Sequence, residues 1–233
     1  MESENNRSST NSRSGADQAE KKGIFDKSIS LLLTILFISN TIYGLASPFL
    51  PVELAAKGIS SGMTGVIFAM YAVASVLSAL VVGMYLDRIG HRCVIMFGAL
   101  LMSGAIACFG LIESLTDKLT ILVLSMSLRF LQGMASGAIN TSVYSYVAQA
   151  YPDKVEKVIS LSEGFVGIGC TLGPILGAFI YQAVGFSYTF YIFGAAMAPF
   201  ALLICSCLDK PKLGSQQEEV DDVEIVEIDR ESD

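Results

Sequence analysis

Gly83-Met84-Tyr85-Leu86-Asp87-Arg88-Ile89-Gly90-His91-Arg92 is a short charged link between two long apolar stretches. Ser61 to Val82 precedes it, more than 20 mostly apolar residues, and Cys93 to Ile112 follows with about 20 more. No soluble domain needs two such spans joined so tightly. A bilayer does, because about 20 apolar residues cross its hydrocarbon core as a helix. The link is then a tight turn at a membrane face, and Arg88 and Arg92 argue that this face is cytoplasmic.

Outward from the link, composition agrees. Hydrophobic residues make up 52% of the chain and charged residues 16%, the profile of a polytopic membrane protein. The net charge of −7 is not spread evenly. Ten acids and three bases after Leu208 give −7, residues 1–26 give −1, and the apolar body between is near neutral at +1. Nothing here suggests a nucleic-acid partner. Cys93, Cys108, Cys170, Cys205 and Cys207 all fall in or at the ends of apolar spans, so neither a disulfide framework nor a metal site is implied, and no cofactor is called for.

The chain divides into three parts. Residues 1–27 read as a polar, disordered cytoplasmic arm, 28–208 as a six-span transmembrane domain, and 209–233 as an acidic cytoplasmic tail. The expected spans are about Ser28–Leu50, Ser60–Leu86, Cys93–Glu113, Leu119–Ala150, Val158–Val184 and Tyr188–Leu208. The first is expected to end at Ser47-Pro48-Phe49-Leu50-Pro51, because proline removes a helical hydrogen bond. Six spans put both termini on one side. Arg7, Arg13, Lys21, Lys22, Lys27, Arg88, Arg92, Lys154, Lys157, Lys210, Lys212 and Arg230 fall on that side, and only Lys57 and Lys118 on the other, which makes both termini cytoplasmic.

Two charges remain inside spans. Arg129 lies about ten residues into the fourth and Glu163 about six into the fifth. Intramembrane charges face a cavity or a partner and mark transport pathways. The two enter their spans from opposite faces, about 20 Å apart in depth at 1.5 Å per residue, so they are not expected to pair. Arg129 reads either as a functional charge or as an anchor to a neighbouring helix, and Glu163 either as functional or as snorkelling to the interface. Asn40 in the first span serves a cavity or packing equally well. Glycines cluster on the same spans as the charges. Gly133 follows Gln132 in the fourth, while Gly169, Gly173 and Gly177 recur every four residues in the fifth, with Pro174 to bend it. That spacing lets helix backbones approach closely.

Three of these stretches carry a family resemblance. Gly83, Asp87, Arg88, Gly90, His91 and Arg92 resemble the loop signature of the major facilitator superfamily, with His91 at a usual arginine. Arg129-x-x-Gln132-Gly133 resembles its fourth-helix signature. Gly169-x-x-x-Gly173-Pro174-x-x-Gly177-Ala178 resembles the fifth-helix signature associated with proton antiporters. Within the superfamily the chain is most similar to the vesicular amine transporters, especially the polyamine branch. Pro48-Phe49-Leu50-Pro51, Thr64-Gly65-Val66-Ile67-Phe68, Leu161-Ser162-Glu163-Gly164-Phe165 and Tyr181-Gln182-Ala183-Val184-Gly185-Phe186 carry that likeness. Monoamine members have an aspartate where Ser39 stands here.

The resemblance implies an all-α membrane fold, the amino-terminal half of a twelve-helix transporter with a 3+3 repeat. It implies no enzyme activity. It implies antiport of a small organic cation, such as a polyamine, against protons by alternating access. Asn40, Arg129, Gln132 and Glu163 would line the pathway, and Gly83, Asp87, Arg88, Gly90 and Arg92 would form the gating loop. Gly133, Gly169, Gly173, Pro174 and Gly177 would pack and bend the helices. With six spans instead of twelve, the chain is expected to need a second half or self-association. The alternative is a truncated, non-transporting form that binds and regulates a full-length relative.

Overall fold

In the computed structural model, residues 27–207 are described, with side chains to Ile204. The polar arm before Lys27, the acidic tail after Cys207 and the side chains of Cys205 and Cys207 lie outside the described residues. Six long helices follow one another: α1 Lys27–Ala56, α2 Ser61–Ile89, α3 His91–Phe109, α4 Lys118–Ala150, α5 Val155–Val184 and α6 Phe186–Cys207. All six segments are long and apolar enough to cross a membrane, α3 together with the short 3-10 turn Gly110–Ser114 that extends it. The protein is an integral, multi-pass membrane protein.

The first helix corrects one expectation. Pro48 and Pro51 do not end α1, which runs two turns beyond Pro48 to Ala56. In a bilayer a helical backbone has no better alternative than to stay helical, and neighbouring helices support the freed carbonyls. Here Phe49 stacks on Tyr181 of α5 at 5.1 Å, and Leu50 and Leu54 are wholly buried.

The link between α2 and α3 shrinks to one residue. Gly90 has φ +89°, a left-handed backbone that a side chain would strain, and its N–H caps Leu86 O at 2.8 Å. Gly185 does the same between α5 and α6, with φ +84° and its N–H on Tyr181 O at 2.9 Å. Thus the second and third helices of each triplet are joined by a single glycine, at opposite ends of the bundle. The starts of α2 and α4 are capped by side chains. Ser60 accepts from Met63 N at 3.4 Å, and Asp117 accepts from Thr120 N at 2.9 Å. Glu113 of the 3-10 turn accepts from Ser187 N at 3.0 Å, capping α6 from across the bundle. Lys57 donates to the terminal carbonyls of Glu113 and Leu115 at 2.6 and 2.7 Å.

Packing pairs the two triplets. The densest contacts are α2 with α4, α1 with α5, and α3 with α6. Exchange of the triplets maps α1–α5 onto α4–α2 and leaves α3–α6 as it is, the pattern of a 3+3 repeat. The glycines make these pairs close. A Cβ on Gly133 or Gly137 of α4 would collide with the carbonyl oxygens of Tyr71 and Ser75 of α2. On α5, a Cβ at Gly169 would stand 2.6 Å from Phe37 O, and one at Gly173 would strike Thr41 O of α1. Side-chain hydroxyls add to the seams: Ser78 donates to Met134 O and Ser103 to Gly194 O, both at 2.7 Å. α1 is the most enclosed helix, with 67% of its apolar window buried, against 17% for α2 and for α5. The outer faces are apolar, with Met84, Phe97, Leu119 and Phe179 among the most exposed side chains. That is the arrangement of a bundle facing lipid or another membrane-embedded surface.

Candidate functional site

Arg129 sits inside the α2–α4 seam with none of its surface exposed. Gly133, one turn on, is what lets α2 come so close. Its Nη1 donates to Gln132 Oε1 at 3.2 Å. The guanidinium lies 4.4 Å from the ring centre of Phe68 and 5.5 Å from that of Phe109, with Tyr71 at 6.0 Å. The Phe68 contact is a close cation–π geometry, which supplies attraction without a counter-charge. Nε and Nη2 find no acceptor among the described residues. The arginine is therefore held by rings and one amide, with hydrogen-bonding capacity to spare.

Asn40 is buried on α1, and its amide donates to Leu36 O at 2.8 Å. Its Oδ1 faces Cys170 Sγ of α5 at 3.9 Å, beside the Gly44–Cys170 backbone approach. It lies in the α1–α5 seam, apart from the Arg129–Gln132 pair. Tyr43 of α1 stacks on Tyr71 of α2 at 4.7 Å, so aromatic contacts run from α1 through α2 towards the guanidinium.

Glu163 is exposed on α5, where its Oε1 accepts from the Tyr144 hydroxyl of α4 at 2.6 Å. It borders a groove of about 400 Å³ lined by Gly164, Gly167, Ile168, Thr171 and Leu172. The structure thus brings Arg129 and Gln132 together and keeps Asn40 and Glu163 separate from them. No ion pair joins Arg129 to Glu163.

At the link, Gly83, Asp87 and Arg88 are exposed, and a Cβ on Gly83 would meet nothing within 4 Å. Arg92 is partly buried. His91, in contrast, is buried, its Nε2 3.2 Å from Ser145 Oγ of α4. Pro174 lies within α5 without interrupting it, and Gly177 packs against Leu45 and Phe49. Cys93, Cys108 and Cys170 are free thiols. Sequence reasoning missed Tyr144 and Phe68. An aromatic in an apolar span carries no local signal, and only the helix pairing shows which charge it meets.

A six-helix bundle of two inverted triplets, with an arginine sealed in one seam and a carboxylate on an open face, defines a polytopic membrane protein. The chain belongs to the Major Facilitator Superfamily, whose family model matches residues 32–227. It is 33% identical over 165 residues to the mouse MFS-type transporter SLC18B1, covering 70% of this chain and 36% of that protein. It is 25% identical over 183 residues to the zebrafish (Danio rerio) probable vesicular acetylcholine transporter-B, covering 74% and 34%. It is 27% identical over 203 residues to Multidrug resistance protein 1 of Bacillus subtilis, covering 86% and 49%. The chain therefore spans between a third and a half of the length of these relatives.

Proposed function

We propose that the chain supplies one half of a secondary active transporter that exchanges an organic cation, an amine such as a polyamine, for protons. The observation that carries this reading is Arg129: a fully buried guanidinium within a membrane helix, bound by Gln132 and ring faces and unpaired with any acid among the described residues. A charge so placed costs from about 2.5 kcal/mol upwards and marks a working site. Its unused N–H groups give a fixed positive end to the pathway. Glu163, on the exposed side of α5, supplies the carboxylate that takes a proton or the cation in turn. Asn40 lies on the α1 side. Asp87, Arg88 and Arg92 flank the Gly90 pivot, placed to make and break contacts at the cytoplasmic face as the halves rock.

The same reading places both termini in the cytoplasm, because the ends bearing Arg88, Arg92, Lys154 and Lys157 carry the positive excess. Of the two lysines at the opposite end, Lys57 is consumed in capping carbonyls and an ion pair with Glu53 at 3.9 Å.

The test is purification in mild detergent with mass determination, then reconstitution and uptake of a labelled amine under an imposed pH gradient. An assembly of two halves is expected to take up amine, and collapse of the gradient with a protonophore is expected to abolish uptake. Coupled uptake by a monomer would break the two-half reading, and gradient-independent uptake would break the antiport. One observation favours a second reading, a regulatory partner of a full-length relative. On the open face of α5, a Cβ at Gly164 or Gly167 would meet nothing within 4 Å, leaving room for another helix. A stable assembly without uptake favours that reading.

A further inference from the structure

His91 is the one histidine of the chain, and the transport pathway makes no use of it. It is the first residue of α3, straight after the single-glycine link. It is buried, whereas Asp87 and Arg88 one turn before it are exposed. Its Nε2 lies 3.2 Å from Ser145 Oγ of α4, and its ring stands edge-on to Tyr146 at 5.9 Å and 76°. Gln149 Nε2, one turn further along α4, donates to the same Ser145 oxygen at 3.4 Å. That donor pattern leaves the Ser145 proton for His91 Nε2, so the ring is assigned as neutral, with its own proton on Nδ1. The contact fastens the start of α3 to α4 at the place where the chain turns.

A proton on His91 puts a charge where little supports it. Burial takes the imidazolium out of water. Because α3 begins at His91, the positive end of its helix dipole lies at the ring. Arg92 adds a cation on the next residue, and Arg88 another on α2. Asp87 of α2 is the acid whose charge acts on the ring, and it is exposed. From α4 the ring meets Ser145 and Tyr146, with Gln149 behind them, and α6 carries no charged residue from Phe186 to Cys207. Asp153 and Lys154, on the turn after α4 at the same end of the bundle, carry opposite charges. Gly90, with φ +89°, is the single residue that joins α3 to α2, so it is where α3 can turn.

We propose that His91 is a proton-operated latch: neutral, it ties the start of α3 to Ser145 of α4, and protonated, it lets go and frees α3 to swing about Gly90. The inference goes beyond the transport reading and holds for this chain whether or not it moves a cargo. An unperturbed imidazole titrates at about pH 6.5, which brings the latch within reach of physiological pH changes.

The test uses the full chain in lipid nanodiscs, labelled with 15N-histidine, which gives one imidazole signal. The ring shifts report its proton. Hydrogen exchange of the first turn of α3, corrected for intrinsic rate, reports its release. From about pH 8 to about pH 5 the corrected exchange is expected to rise roughly tenfold, in step with the ring signal. His91→Gln, which keeps a hydrogen-bonding partner for Ser145 and does not titrate, is expected to exchange slowly at every pH. His91→Arg, a permanent cation, is expected to exchange fast at every pH, and so is Ser145→Ala, which removes the catch and spares the ring. Elution volume and melting temperature report folding of each variant. A parent ring that titrates while the exchange stays flat would overturn the proposal, as would a parent ring that stays neutral down to about pH 5. A folded His91→Gln variant that keeps the parent's pH dependence would overturn it too.

Discussion

Arg129 and Glu163 are the two charges more than two turns from either end of the described helices, and the fold treats them in opposite ways. Arg129 has no exposed surface, three rings within 6.0 Å and one amide partner. Glu163 is exposed and shares its carboxylate with one tyrosine. The difference follows from the helices that carry them. α4 is gripped by α2 through Gly133 and Gly137, and whatever stands between these glycines and the ring of Phe68 is sealed. α5 buries one narrow stripe, Val158, Ser162, Gly169, Gly173 and Gly177, whose glycines pack on α1, and leaves Glu163 outside it. A sealed charge sets a field that motion does not change. An open charge is free to exchange partners.

The largest expected effect separates volume from charge at Arg129. Arg129→Ala empties a fully packed site and is expected to lower stability by about 2–5 kcal/mol. Arg129→Met keeps the volume and releases a buried charge, so it is expected to lie within about 1 kcal/mol of the parent or above it. Thermal unfolding in detergent measures both. If Ala and Met destabilise alike, the guanidinium is a structural anchor and the comparison with Glu163 fails.

A smaller effect is expected on the open side. Glu163→Gln is expected to change stability by no more than about 0.5 kcal/mol, as for exposed positions generally. Tyr144→Phe loses one hydrogen bond, about 0.5–1.5 kcal/mol at most. A double-mutant cycle on the pair sharpens the point. Coupling well above 1.5 kcal/mol would mean that Glu163 is as locked as Arg129.

The smallest effect is at the start of α4. Asp117 accepts from the Thr120 hydroxyl at 2.6 Å and its N–H at 2.9 Å, which holds its carboxyl below the usual range. Its folded value is depressed, so its contribution is present above the unfolded value, about 3.9, and is lost as pH falls through the folded one. Hydrogen exchange of the Thr120 amide, corrected for intrinsic rate, is expected to quicken on acidification below about pH 4. Asp117→Asn, which does not titrate, is expected to remove that pH dependence. An unchanged profile in the variant would assign the cap to other groups.

Span number and order, and the presence of a charge within the fourth span, were legible because apolar length and intramembrane charge are local properties; Arg129 was expected on an open face, and that the α2–α4 seam seals it was not legible. Gly133, Gly169 and Gly173 announced close approach by spacing alone. What they approach was not legible: the partners Tyr71, Phe37 and Thr41 lie over 60 residues away, and no local pattern names them. Pro48 and Pro51 misled, since a rule drawn from helices in water ended α1 two turns early. Tyr144 was invisible for the reason given by its neighbours: it is one of several aromatics in an apolar span, and its meeting with Glu163 depends on how α4 crosses α5.

The pairing of α1 with α5, α2 with α4 and α3 with α6 has a consequence for how the protein is made. As the ribosome emits the chain, α1, α2 and α3 reach the membrane first, and none has yet met its main partner. Gly44 faces the Cys170 backbone, and Cys170 is synthesised 126 residues after it. The first triplet must wait in the bilayer, loosely associated, until the second arrives and interleaves with it. A nascent chain of which only the residues up to Ser114 have left the ribosome would therefore hold three inserted helices and almost no tertiary structure. Such a nascent chain is expected to be protease-sensitive, and protection is expected only once α5 has emerged.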